Sequence, residues 1–333
     1  MRFIVVGAGA VGGTVGGLLH QAGHDVVLVA RGEHGRAMSS SGLRLQRGGV
    51  ETVLEVTVAF DIGDVALTPD DVLLLTTKSQ HTASLVQQMA SLPVGDALAG
   101  DVLPIACVQN AVANELIALR RFARVYGVCV QLPATHLEPG VVASHGQPRP
   151  GILPVGRFPH GTDDTADAIA AALRDAGFQS ESRADIMPWK YAKLLANLSN
   201  GTRVALAPPD GDAESAAEVH RTVRAEGEAA LAAAGIAWVG EEAFIAERGG
   251  LADTSRSGQS GSSTWQSLAR GTGSTEVDYL NGEIVTLGRL HGVPTPANLV
   301  VQRIVNQLTL DGGRPGAFTP TELLRMIEGE KLG

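Results

Sequence analysis

The sequence predicts a parallel-sheet α/β domain followed by a mainly α-helical one, on three observations. Short apolar runs alternate with helical stretches through the first half of the chain, a glycine-rich turn follows the first run directly, and after Ala184 the pattern reads as helix throughout. At about 150 residues per domain, 333 residues suit two domains, expected at 1–183 and 184–333.

The elements follow in order. Arg2 to Val6 is a β-branched run, Val11 to Ala22 suits a helix and Asp25 to Ala30 is a second run, which together make one βαβ unit. Further runs at Asp71 to Thr76, Asp101 to Val108 and Arg124 to Val130 alternate with helices expected at His81 to Leu92 and Asn114 to Phe122. Runs without polar alternation suit a parallel sheet covered on both faces. Between Gly140 and Gly156 the pieces GVVASH and GILPVG read as hairpins closing the first domain, before a helix at Asp163 to Ala176 and a short strand near Phe178. Helices are then expected at 185–200, 213–235, 241–248, 263–271, 275–291, 296–310 and 319–330, with start signals such as Ser263 with Gln266 three on, and Thr319-Pro320. The stretch Gly249 to Ser263, rich in Gly and Ser, reads as a mobile loop.

Composition excludes several classes. Glycine, 41 of 333 residues, follows no G-X-Y period, and 44% hydrophobic residues argue against disorder. A net charge of −9 argues against nucleic acid or an anionic membrane as partner. No apolar stretch reaches the ~18–20 residues of a membrane span, and the early glycines interrupt any signal-peptide core. Cys107 and Cys129 are too few for a disulfide framework and fit a reducing cytoplasm. No metal site is expected.

Gly7-Ala8-Gly9-Ala10-Val11-Gly12 ends a strand and opens a helix, the context of a Rossmann-type dinucleotide fingerprint. Gly7 permits the tight turn, Gly9 lets backbone approach a pyrophosphate at the helix N-terminus, and Gly12 permits close helix–strand packing. At the end of the second strand stands Arg31, whose guanidinium suits a 2′-phosphate, where an NAD enzyme has an acid; this favours NADP, with Glu33 the rival reading. Lys78 and Gln109-Asn110 end later strands and therefore face the same crevice. In the second domain Lys193, Asn197 and Asn200 recur at i, i+4 and i+7 on one helix face. Glu276 sits where a helix is expected to begin and serves equally as a favourable first-turn charge.

These segments resemble the ketopantoate reductase (2-dehydropantoate 2-reductase) family in order and over most of the chain: GAGAVG at 7–12, VARG at 29–32, TTKSQHT at 76–82, VQNAVANE at 108–115, WKYAKLLAN at 189–197, SSTWQ at 262–266 and TEVDYLNGEIVTLGRLHGVPTPAN at 275–298. The resemblance implies a Rossmann domain and a helical domain with substrate between them, NADPH as cofactor, and reduction of ketopantoate to pantoate on the route to pantothenate. It also implies Lys193 as the catalytic lysine and Glu276 as its paired acid, also near the cofactor. Asn197 and Ser263 are implied for substrate, Lys78 and Asn110 near cofactor and substrate, and Arg31 near the 2′-phosphate. Asn200 is a further candidate for substrate binding.

Three departures bear on the substrate: Ala111 where the family commonly has Gly, Ser267 where it commonly has Asp, and Gly201 where a second Asn is expected. The alternatives are a related NADP-dependent reductase of another 2-keto acid, and a dinucleotide-sensing protein without turnover. The helical domain offers apolar faces for a homodimer, a pattern that core packing explains equally.

Overall fold

In the computed structural model, which describes residues 1–136, 138–207, 212–254, 265, 268 and 275–331, strand β1 (Arg2–Val6) lies inside a seven-stranded sheet. It pairs in parallel with β2 (Asp25–Val29) on one side and β6 (Asp71–Leu75) on the other. Parallel strand β5 (Thr57–Ala59) extends the sheet beyond β2, and β9 (Pro104–Cys107) and β10 (Arg124–Val128) extend it beyond β6. The edge strand β14 (Val155–Arg157) runs antiparallel to β10. Phe3, Val5 and Leu28 are buried in one apolar cluster and Ile4, Val6 and Leu73 in another, so each strand is apolar at consecutive positions because both faces are covered.

Helices α1 (Ala10–Gln21), α2 (Gly32–Ser41), α3 (Thr82–Ala90), α4 (Ala99–Val102), α5 (Asn114–Leu119) and α6 (Asp164–Asp175) surround this sheet. A two-residue hairpin, β7 (Pro93–Val94) and β8 (Ala97–Leu98), precedes α4. The expected strand at Asp101 to Val108 is corrected at its start, where α4 ends at Val102. Leu103 is extended ahead of Pro104, which begins β9 because a first strand residue need not donate a ladder hydrogen bond.

A second sheet replaces the hairpins expected at 140–156. Its order is β11 (Ala134–Thr135), β12 (Val141–Ser144), β3 (Leu43–Arg47) and β4 (Val50–Leu54). GVVASH pairs in parallel with residues 44–47, and GILPVG supplies β14 of the first sheet. The signal for β3 is its alternation, with Leu43 and Leu45 buried and Arg44 and Gln46 exposed. This sheet packs against α1, where a side chain at Gly13 would stand 2.7 Å from a Val142 methyl.

The chain divides into two units, Met1–Lys190 with Gly240–Arg256, and Tyr191–Val239 with Ser257–Gly333. Helix α7 (Ile186–Ala205) begins in the first and continues into the second. Helix α9 (Glu241–Arg248) belongs to the first unit. Arg183 pairs with Glu247 at 2.6 Å and stacks 3.9 Å above the Trp189 ring, which neighbours Phe244. The reading of helix alone beyond Ala184 is corrected here too, because β15 (Ala252–Asp253) pairs with β13 (Gly146–Gln147). Residues 255–263 of the expected mobile loop, and the helix expected at 263–271 apart from Trp265 and Leu268, lie outside the described residues.

The second unit contains α8 (Ala213–Ala233), α10 (Asn281–His291), α11 (Pro296–Leu310) and α12 (Pro320–Lys331). The helix expected from 275 starts later. A 3₁₀ turn occupies Val277–Tyr279, and Leu280, at φ −113° and ψ −90°, separates it from α10. A buried polar network ties these helices together. The Glu226 carboxylate accepts from the Ala297 and Asn298 amides at 2.8 and 2.9 Å, capping α11 from α8, and Asn298 accepts from Asn281 at 3.0 Å. Burial raises the Glu226 pKa, against the hydrogen bonds that favour its anion. No helix among the described residues is long and apolar enough to cross a membrane.

Candidate active site

In the first unit, the carboxyl ends of β1, β6 and β9 come together. Gly7 has φ +107°, and a Cβ there would stand 2.9 Å from the Thr77 amide nitrogen, so glycine is required both for the turn and for the neighbouring strand end. Gly9 opens α1 with nothing within 4 Å of where its Cβ would be. The first turn of α1 (Ala10, Val11, Gly12) leaves amides without intrahelical acceptors, so open space and free donors coincide where a pyrophosphate would lie. Ala8 is buried behind the turn. The chain's own atoms therefore fit a dinucleotide.

Arg31 is exposed at the N-cap of α2, with Glu33 exposed in the following turn. Lys78, half-buried, precedes a 3₁₀ turn at Ser79–His81. Asn110 follows Gln109, whose side-chain amide donates to the Thr77 carbonyl at 2.8 Å and to Thr82 Oγ1 at 2.9 Å. Thr82 donates to Asn114 Oδ1 at 2.8 Å, and Asn114 Nδ2 donates to the Asn110 carbonyl at 2.9 Å. This mesh holds the Lys78 and Asn110 loops together. Thr82 and Asn114, which sequence reasoning assigned no role, do this from inside the quoted TTKSQHT and VQNAVANE segments.

Ala111 has φ +68°, the left-handed region that favours glycine. The departure from the family's Gly is thus a backbone matter. It costs about 1–2 kcal/mol in strain, offset by a buried methyl worth about 0.8 kcal/mol and a smaller unfolded-state entropy. Ala111→Gly is therefore expected to fall within about 0.5 kcal/mol of neutral. Ala106→Gly, at a fully buried β9 position of ordinary strand geometry, is expected to cost about 1–2 kcal/mol. Urea denaturation of both variants checks this, and equal losses would remove the strain.

A buried ion pair lies below these loops and was not anticipated. Lys190 Nζ is 2.7 Å from Glu115 Oε1, with side chains 2% and 0% exposed. Its directed hydrogen bonds go to the carbonyls of Gln109 and Val128, at 3.0 and 3.1 Å. One ammonium thereby ties the ends of β9 and β10 and the start of α5 to the first turns of α7. Burial pushes the neighbouring Cys107 thiol up, Glu115 adds to this and Lys190 opposes it, so Cys107 is an inert core thiol.

In the second unit, Lys193, Asn197 and Asn200 lie along one face of α7, with Asn197 buried and the other two half-buried. Glu276 is 4% exposed and precedes the 3₁₀ turn, so it is a buried carboxyl and not a first-turn charge on a surface helix, and burial requires a polar partner for it. Ser263 and Ser267 lie outside the described residues. Gly201 faces Asn281 Oδ1 and a Val301 methyl, each 2.7 Å from where its Cβ would stand. Here α7 packs tightly in its own unit, and this departure reflects helix packing.

Fold and site define a two-unit oxidoreductase that works with a nicotinamide dinucleotide. The family profile described as "Ketopantoate reductase PanE/ApbA" matches residues 3–159 and its C-terminal counterpart residues 185–309; the chain belongs to the ketopantoate reductase family. It is 28% identical to a 2-dehydropantoate 2-reductase of Pyrococcus horikoshii, over 94% of this chain and 99% of that protein. Among solved structures it is similar to a PanE/ApbA family ketopantoate reductase from Ralstonia eutropha, at 29% identity, TM-score 0.75 and coverage of 94% and 99%. It also shares its fold with a D-mandelate dehydrogenase, at 23% identity, TM-score 0.78 and the same coverages.

Proposed function

We propose that the chain catalyses NADPH-dependent reduction of a 2-keto acid to a 2-hydroxy acid, with ketopantoate as substrate and pantoate as product, in the cytoplasm. In this reading residues 1–183 bind the cofactor and add Lys78 and Asn110 to the substrate site, and 184–333 carry the catalytic groups and the other substrate-binding residues. The observation that carries it is the lysine helix. Lys193, Asn197 and Asn200 share one face of α7 within a chain whose two halves both match the family.

Bound NADPH supplies the hydride that reduces the ketone. The Gly7–Gly12 turn holds the pyrophosphate on α1 amides, and Arg31 holds the 2′-phosphate through a charge-assisted pair. Lys193 Nζ donates a hydrogen bond to the ketone oxygen, stabilises the negative charge growing there and then gives up its proton. The Glu276 carboxylate pairs with that ammonium and orients it toward the ketone. Asn110, Asn197, Asn200 and Ser263 orient the substrate carboxylate and hydroxyl by hydrogen bonds, and Lys78 adds positive charge toward the acid.

Of the three departures, Ala111 and Gly201 have backbone and packing explanations, which favours the family's own substrate over another 2-keto acid. A coenzyme-oxidation screen over a panel of 2-keto acids, run with NADPH and with NADH, tests the proposal. Ketopantoate is expected to turn over fastest and NADPH to be preferred. Faster turnover of a different 2-keto acid would displace ketopantoate, and coenzyme binding with no turnover would leave a sensing protein.

A further inference from the structure

We infer that His34 is a positioning residue for the dinucleotide turn, acting as a neutral imidazole that clamps the Ala8 carbonyl; this rests on the reading of residues 7–12 as the cofactor turn. His34 lies in the first turn of α2, three residues after Arg31. The Gly140 amide lies 2.8 Å from Nδ1, and an amide nitrogen can only donate, so Nδ1 is the acceptor. The ring proton is therefore on Nε2, which donates to the Ala8 carbonyl at 2.7 Å. A single ring thus joins α2, the glycine turn and the segment leading into β12.

The carbonyl it holds sits at a sensitive point. The Ala8 carbonyl and the Gly9 amide share one peptide plane, and the Gly9 amide in turn donates to the Gly7 carbonyl at 2.8 Å. Setting that plane sets the direction in which the α1 amides leave the turn. Gly9 is also where an added Cβ would meet nothing within 4 Å, the open side from which a phosphate would approach.

The clamp works in one protonation state. An imidazolium has donors on both nitrogens, so protonation would turn Nδ1–H against the Gly140 amide. The His136 ring packs 4.0 Å from His34, and its Nδ1 donates to the Val141 carbonyl at 3.0 Å. Other charged groups on the surrounding elements are Arg31, Glu33 and Arg36 on α2, Glu138 ahead of β12, and Arg44 and Arg47 on β3, of which Arg44 is paired with Glu51. The glycine turn, β5 and β12 carry none.

The test is calorimetric titration of the full-length protein with NADP⁺ at pH about 8 and about 5.5, on the wild type, His34→Ala and His34→Gln, with a melting curve for each. His34→Ala is expected to weaken binding about tenfold at pH 8, by loss of two hydrogen bonds that orient the turn. His34→Gln, whose amide donates and accepts without titrating, is expected to restore most of the affinity. The cofactor's own phosphate titrates near pH 6 in every sample, so the informative quantity is the extra acid weakening of the wild type over the Gln variant. Binding by His34→Ala within about twofold of wild type, or equal pH dependence of the wild type and His34→Gln, overturns the inference. Absence of NADP⁺ binding by the wild type itself overturns the cofactor reading and this one with it.

Discussion

Lys193→Ala is expected to bind NADPH as the wild type does and to turn over at least about a hundredfold more slowly. Lys193 is the cation on the α7 face that also carries Asn197 and Asn200, and α7 is continuous from Ile186 to Ala205. A ketone that accepts hydride must place a full negative charge on oxygen, and a positioned donor for that charge contributes about 10²- to 10⁴-fold. Its removal takes away an interaction made chiefly in the transition state, so kcat and kcat/KM are expected to fall together while the NADPH dissociation constant stays put. Steady-state kinetics with an equilibrium titration separate these quantities. Turnover near the wild-type rate would remove Lys193 from the reaction, and loss of NADPH binding would make its role structural.

Lys190→Met is expected to destabilise the protein by about 3–5 kcal/mol, because it strands the Glu115 carboxylate in a site that is fully buried. The same substitution withdraws the donor from the Gln109 and Val128 carbonyls. Adding Glu115→Leu is expected to recover much of the loss, since an apolar pair in place of a buried ion pair is often close to neutral. Chemical denaturation of the two single variants and the double variant gives the coupling directly. Additive losses would show that the pair does not act as a unit. Lys190 and Lys193 are one helical turn apart on α7, yet one is expected to govern stability and the other rate.

Local order was the legible part. The bounds of β1, α9 and α12 follow from apolar periodicity and from end signals such as the Thr319-Pro320 start, and the structure places those elements at Arg2–Val6, Glu241–Arg248 and Pro320–Lys331. The glycine turn was legible for the same reason, since Gly7 answers a steric demand of its own backbone. Strand β3 carried a readable alternation, but its partner β12 lies about a hundred residues on, and no local signal names a partner at that distance. The charged pair was less legible still. Lys190 reads as one more polar residue on a helix until the chain places it against carbonyls 81 and 62 residues away.

The sequence by itself determined a glycine turn on a parallel sheet, a mainly helical second half and a lysine face on α7, because each depends on backbone preference and side-chain period within about 20 residues. Only the tertiary structure decided that α9 and β15 return to the first unit, that Ala111 holds a glycine's backbone, that Lys190 is buried against Glu115, and that the His34 ring lies between the Ala8 carbonyl and the Gly140 amide. Each of these is set by which groups from distant segments lose water together. A buried donor must then find an acceptor and a buried charge its opposite, and neither demand is written at the position where it is met.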